Sequence, residues 1–305
     1  MAYRNIIVES EATLTLKNKQ MRIKTEQVDT TEPIEDISTL LVENRRSVLS
    51  VALLSALAQN GSVVFICDEF HMPCAVLEPY LQHSRQHEVT KNQLTLTAPA
   101  KKQLWKQIIA AKIRNQAKCL SLCNHADTVF EVTQKLEKMA NQVRSGDEGH
   151  SEGHAAALYF PALFGSGYLR SNDSDYRNAW LNYGYAILRG CIARMLCVYG
   201  FFPLYGIKHH SSLNQFNLAD DFIEPFRPIV DLFTIQNALQ ETGLSPQNKR
   251  QIANLLNYDI CVAGNMYALS YAIERTIKSF SAVCAGNRKD LLLPELVPLN
   301  QHSYE

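Results

Sequence analysis

The sequence predicts an α+β fold, with a small N-terminal β-rich domain at residues 1–85 followed by a larger all-helical C-terminal domain at 86–305. Up to Pro79, short apolar runs alternate with polar turns, as strands require. Beyond it, apolar residues recur at helical spacing in long segments and period-two alternation is nearly absent. A chain of 305 residues is long enough for one large domain or two smaller ones.

Residues 6–8 are apolar and open the β-rich part, and residues 13–16 and 21–24 alternate around the polar turn Lys17-Asn18-Lys19-Gln20, a hairpin signal. Residues 37–42 read as another strand. Residues 48–57 carry apolar side chains at helical spacing, and Asn60-Gly61 ends that helix. Strand character returns at 63–66 and 75–77.

The helical part begins with residues 104–120, L-W-K-Q-I-I-A-A-K-I-R-N-Q-A-K-C-L. One face is apolar and Lys106, Lys112, Arg114 and Lys118 spread over the others, which predicts an amphipathic helix with a solvated basic face. A second helix is expected over 128–143. Residues 145–153 are polar and glycine-rich, hence a loop, and Glu152 falls at or near the next helix start, where the helix dipole favours an acid. Residues 180–199 are apolar on most sides and suit a central buried helix. Further helices are expected at 232–239, 249–256 and 268–285. The tail, 291–305, carries Pro294 and Pro298 and is expected to be extended or disordered.

Composition narrows the function classes. Lysine plus arginine equals aspartate plus glutamate at 30 each, so bulk charge does not support nucleic-acid binding; a DNA-binding role needs basic residues gathered on one surface and acids at a metal site. Eight cysteines are scattered without a C-x-x-C and read as small buried residues, not as disulfides or a zinc site. No apolar run reaches the length of a membrane span, and the N-terminus lacks a signal-peptide pattern, so the expected compartment is the cytoplasm with no membrane partner.

Chemistry concentrates in residues 206–231, G-I-K-H-H-S-S-L-N-Q-F-N-L-A-D-D-F-I-E-P-F-R-P-I-V-D. On a helical turn Glu224 shares a face with Asp220 and Asp221. Like charges so close need a counter-charge. Arg227 supplies part of it, and a divalent cation supplies more, oxygen ligands suiting Mg²⁺ or Mn²⁺. Either His209 or His210 can add a nitrogen ligand. Asp-Asp before an apolar residue is equally a helix N-cap pattern, and Pro225 and Pro228 belong near a helix start or kink, so from this stretch alone both readings stay open.

Three segments then point one way. E-G-H-A-A-A-L-Y-F from Glu152, the pair Lys208-His209, and L-A-D-D-F-I-E-P-F-R-P-I-V-D from Leu218 resemble the CRISPR-associated adaptation integrase family, a metal-dependent nuclease-integrase. The N-L-A-D-D-F-I-E-P-F-R-P wording is most similar to its type II branch, and L-W-K-Q-I-I-A-A-K-I-R-N-Q-A looks like the family's helix after the domain junction. The resemblance implies a metal site of glutamate, histidine and a second acid, carried by motif onto Glu152, His209 and Glu224 as catalytic residues and ligands of Mg²⁺ or Mn²⁺. His209 is preferred because it follows the Gly-Ile-Lys lead-in, with His210 the alternative. Asp220 or Asp221 is an auxiliary acid, orienting a ligand or binding metal through water. Where related sequences are expected to carry an Asn-Arg-like polar pair, the loop reads D-E-G-H-S-E-G, so Glu148 stands as a substitute for Glu152.

The implied reaction inserts short foreign DNA fragments as new spacers into the CRISPR array, by attack of a 3′-hydroxyl on a phosphodiester. Lys208, Arg227, Arg170 and Arg177 are the candidate phosphate contacts, with Lys101, Lys102, Lys112 and Arg114 further off. Tyr159, Phe160 and Phe164 read as core. The implied partners are double-stranded DNA (prespacer and repeat), a second copy of the chain dimerising through residues 1–85, and a small ferredoxin-like protein completing a heterohexamer. Two rivals remain: a stand-alone metal-dependent DNA or RNA nuclease, and a non-catalytic DNA-binding scaffold whose acids are helix caps.

Overall fold

The computed structural model describes residues 4–69, 73–80, 86–123, 127–238 and 244–303. The first part contains β1 (Arg4–Val8), β2 (Thr13–Lys17), β3 (Gln20–Lys24), β4 (Asp29–Pro33), β5 (Ile37–Val42), β6 (Val48–Leu49), α1 (Val51–Gln59), β7 (Val63–Cys67) and β8 (Pro73–Leu77). Asn18 and Lys19 take positive φ, 51° and 60°, the two-residue turn that matches the twist of a hairpin, and β2 pairs with β3 from Thr13↔Lys24 to Lys17↔Gln20. One sheet has the order β4-β3-β2-β6, the other β1-β5-β7-β8 with β1, β5 and β7 parallel.

Period-two alternation gives the second sheet two buried faces. Leu40, Val42 and Val64 join Leu14, Met21, Leu53 and Leu57 in a core between the sheets and α1. Leu41, Val63 and Phe65 point the other way, into the helical core. β5 is therefore buried along its whole length. Ser50 caps α1 by accepting from the Leu53 amide at 3.2 Å.

The second part contains α2 (Gln86–Leu94), α3 (Ala98–Cys123), α4 (Asp127–Gln142), α5 (Ser151–Phe164), α6 (Tyr176–Val198), α7 (Asn217–Ile223), α8 (Arg227–Asn237), α9 (Pro246–Ala253), β9 (Asp259–Val262), β10 (Asn265–Ala268), α10 (Leu269–Cys284) and β11 (Pro294–Glu295). α6 is the central buried helix, with Trp180, Leu181, Tyr183, Leu188 and Ile192 almost wholly inside. Gly190 on α6 receives the Phe65 ring so closely that a Cβ there would fall 1.5 Å from Cζ, so β7 is seated directly on the helical core. A buried ion pair, Lys249 to Glu43, and the exposed pair Arg250 to Glu9 also join the two parts.

The β-then-helical order stands as expected, with three amendments. The later part is mostly rather than entirely helical, because β10-β9-β11 form a small antiparallel sheet. Its hairpin turns at Ala263 and Gly264, both at positive φ, a signal diluted by the short flanking strands. The tail is docked rather than disordered over its described length: Leu291 and Leu296 are buried, and Asn115 on α3 donates to Pro294 O and accepts from the Leu296 amide. Polar β4 and short α2 carried too little periodicity to be read. The segment around the expected boundary after residue 85 and the expected helix end at Leu239 lie outside the described residues. All eight cysteines are free thiols, Cys74 exposed rather than buried.

Candidate active site

α3 forms the floor of the site. Trp105, Ile108, Ile109 and Lys112 recur at three- and four-residue spacing along its buried face, so Lys112 projects inward among apolar neighbours and keeps only 10% of its side chain exposed. Its ammonium lies 2.7 Å from Glu152 Oε1 and 2.5 Å from Glu224 Oε2. The lysine donates a hydrogen bond to Glu152. It forms an ion pair with Glu224 Oε2, a buried oxygen, at the same time. Lys112, expected on a solvated basic face, is therefore the inner cation of the site; its signal was its register with Trp105 and Ile108.

Glu152 is in the first turn of α5, but the cap is Asp147, whose oxygens accept from the Ser151 amide at 2.8 Å and the Glu152 amide at 3.1 Å. With those amides taken by Asp147, the Glu152 carboxylate is left to meet Lys112. Asp147 and His150 both hold positive φ in the loop that delivers it. Glu148 turns away to Lys102 at 2.8 Å and is not part of the site.

Glu224 opens a 3-10 turn at Glu224–Phe226 between α7 and α8, where Pro225 and Pro228 start new turns without needing amide partners. Burial works against its ionised form, but Lys112 and Arg227, the latter 2.9 Å from Oε1, hold its carboxyl below the ordinary range. The same acids hold Lys112 protonated against burial. Behind them Asp231 on α8 is fully buried and accepts from the hydroxyls of Tyr159 and Tyr185, and burial pushes it up to about 6.

His209 sits on the loop before α7. The Asp221 carboxylate accepts from the amides of Ile207, Lys208 and His209 and faces His209 Nδ1 at 2.8 Å. That bond is the chief reason the imidazole pKa is raised, and the charges of Asp221, Glu224 and Asp220 add to it against the effect of burial. With Nδ1 held, Nε2 is the nitrogen left for a metal or a proton. The Trp105 ring meets the imidazole edge-on at 5.8 Å. Gly206 is required at the head of this loop, since a Cβ would fall 2.4 Å from His209 O and 2.8 Å from Asp221 Oδ2. Among the described residues His210 has no side-chain hydrogen bond or ion pair to an acid.

The other expected residues are distributed less uniformly. Asp220 pairs with Arg189 at 2.8 Å and accepts from Asn214, so of the two aspartates only Asp221 touches His209. Lys208 is exposed. Arg170 bonds Asn178 and Asn182 and lies over the Tyr185 ring. Arg177 is held by Asp175 at 2.6 Å and by Phe164 O, and Arg227 by Glu224. Tyr159 and Phe164 are core, as expected, with Phe160 packed partly buried against them. Among the described residues no three His, Cys, Asp or Glu side chains are gathered tightly enough to hold a metal ion in this conformation, and no helix is long and apolar enough to cross a membrane.

The family model described as CRISPR associated protein Cas1 matches residues 6–251. The CRISPR-associated endonuclease Cas1 of Neisseria meningitidis serogroup C (strain 8013) is 42% identical over 312 residues, spanning 100% of this chain and 100% of that protein. Among solved structures, a casposase bound to integration product superposes with a TM-score of 0.77 at 18% identity, covering 95% of this chain and 92% of that one. A chain of a Cas6-RT-Cas1–Cas2 complex does so with a TM-score of 0.75 at 17% identity, covering 95% and 36%. At such identities the structures speak for a shared fold.

Proposed function

The chain belongs to the Cas1 family of CRISPR-associated proteins, and from that premise we propose that it is a metal-dependent DNA integrase and endonuclease of CRISPR adaptation. It inserts short foreign DNA fragments as new spacers through 3′-hydroxyl attack on a phosphodiester, whose own P–O3′ bond breaks to release a second DNA 3′ end. The observation that carries this reading is the convergence of Glu152 and Glu224, from α5 and the turn before α8, on one ammonium in a family chain, with His209 alongside.

The donor set suits Mg²⁺ or Mn²⁺: carboxylate oxygens of Glu152 and Glu224 for a hard cation, with His209 Nε2 as the nitrogen. The buried Glu224 carboxylate, already held between the cations of Lys112 and Arg227, suits a positively charged ion. When bound, the ion supplies Lewis acidity at the scissile phosphoryl group and offsets charge gathering there. The chain's own residues do the rest. Arg227 keeps Glu224 ionised inside the protein, and Asp221 fixes the ring and loop of His209, whose Nε2 is available for the ion or for the proton of the attacking hydroxyl. Lys208 and Arg170 offer charge to DNA phosphates, whereas Arg227 is engaged by Glu224 within the site and Arg177 by Asp175 away from it.

The same reading takes residues 1–85 as a dimerising domain and 86–305 as the catalytic one. Its partners are double-stranded DNA, a second copy of the chain, and a small ferredoxin-like protein in a cytoplasmic heterohexamer. The structural neighbours, a casposase bound to integration product and a Cas6-RT-Cas1–Cas2 complex, support DNA joining and a protein partner. A strand-transfer assay with a 3′-hydroxyl donor and a repeat-containing target tests the proposal. Joined product is expected; a stand-alone nuclease would cut without joining, and a scaffold would do neither.

A further inference from the structure

We propose that Lys112 is the resident counter-cation of this site: its ammonium holds Glu152 and Glu224 together in the metal-free protein and is exchanged for the divalent cation when the site loads. The inference rests on the reading that these glutamates bind Mg²⁺ or Mn²⁺.

Lys112 is on the inward face of α3, not on the basic face that solvates Arg114 and Lys118. A lysine so buried needs anionic partners to remain charged, and it has two. The ammonium is shared between the partly exposed Glu152 and the almost wholly buried Glu224.

Charge balance argues against both cations remaining. Two carboxylates, Lys112 and Arg227 sum to neutrality. Adding a divalent ion beside the lysine leaves two uncompensated positive charges in a largely buried site; expelling the lysine leaves one. The way out passes Glu152, whose side chain is 35% exposed against 5% for Glu224. An expelled ammonium emerges there on the side open to solvent, and so to an anionic phosphate. Lys112 accordingly lowers metal affinity while it protects the unloaded acids from mutual repulsion.

The test is Mn²⁺ binding by isothermal titration calorimetry on the full chain, comparing wild type, Lys112→Gln and Glu224→Gln. Lys112→Gln is expected to bind Mn²⁺ about tenfold more tightly, with a lower metal-free melting temperature and a larger rise on adding Mn²⁺. If it binds no more tightly while Glu224→Gln loses binding, the exchange is overturned and the metal reading stands. If wild type and Glu224→Gln bind alike, the metal reading falls and takes the exchange with it. A second measurement needs no variant: reductive methylation of wild-type lysines, read by peptide mass spectrometry. Lys112 is expected to be protected relative to exposed Lys102 without metal, and several-fold more labelled with saturating Mg²⁺. Unchanged protection of Lys112 overturns the proposal.

Discussion

Asp221 holds His209 twice, through the ring nitrogen Nδ1 at 2.8 Å and through the backbone amide at 3.2 Å, and does so from a carboxylate with no exposure. One buried acid thus sets both the path of the loop and the orientation of the imidazole. Asp221→Ala strands the amides of Ile207 and Lys208 as well, and is expected to cost about 3 kcal/mol in urea unfolding.

The same pair predicts a titration. A histidine whose folded pKa is raised adds stability that is present below its unfolded value and lost as pH rises through the folded value. In Asp221→Asn the His209 pKa should drop towards the ordinary imidazole value, because its largest cause is removed. Imidazole resonances followed by NMR against pH in the metal-free protein check this; an unmoved midpoint contradicts it.

Asp231 gives a second stability profile that also falls as pH rises, here because burial disfavours the charged acid. An acid pushed up to about 6 by burial keeps its proton in the folded state between its ordinary value and that point, while the unfolded chain has released it. Its contribution therefore falls as pH rises through that window, by on the order of 3 kcal/mol. Asp231→Asn should flatten this slope between about pH 4 and pH 6. Denaturant unfolding at stepped pH, wild type against variant, measures it.

Phe65 and Gly190 predict a steric pair. Gly190→Ala drives a methyl into the Phe65 ring and is expected to destabilise by about 1–3 kcal/mol. Shortening the ring in Gly190→Ala/Phe65→Leu should recover part of the loss, giving a non-additive double-mutant cycle.

For the acids, Glu152→Gln and Glu224→Gln are each expected to reduce strand transfer at least about 10²-fold with the fold retained. Glu224→Gln should be the less stable of the two, since it withdraws the buried anion between Lys112 and half-buried Arg227, whereas Glu152 is partly exposed. Circular dichroism and thermal melts beside the joining assay separate the two effects.

Much of the architecture was legible because local rules agreed with it. The Asn18-Lys19 turn, the Asn60-Gly61 stop after α1 and the apolar length of α6 each report their element directly. The motif residues Glu152, His209 and Glu224 stood out by wording, and Pro225 and Pro228 marked a kink where α7 meets α8. What could not be read was long-range. Only its register with Trp105 and Ile108 sets Lys112 apart locally from Lys106 and Lys118, and its partners Glu152 and Glu224 arrive from other elements. Asp147 rather than Glu152 caps α5 only because its loop adopts positive φ. The tail was expected to be extended or disordered, and it is extended; its docking could not be read because its anchor, Asn115, is on a helix far upstream.

The most direct test of the central claim is a crystal soaked in Mn²⁺ and measured at an anomalous wavelength. One peak shared by the carboxylates of Glu152 and Glu224 and the imidazole of His209 is expected, with the Lys112 ammonium moved aside. A map without that peak, with Lys112 still between the two glutamates at saturating Mn²⁺, contradicts it.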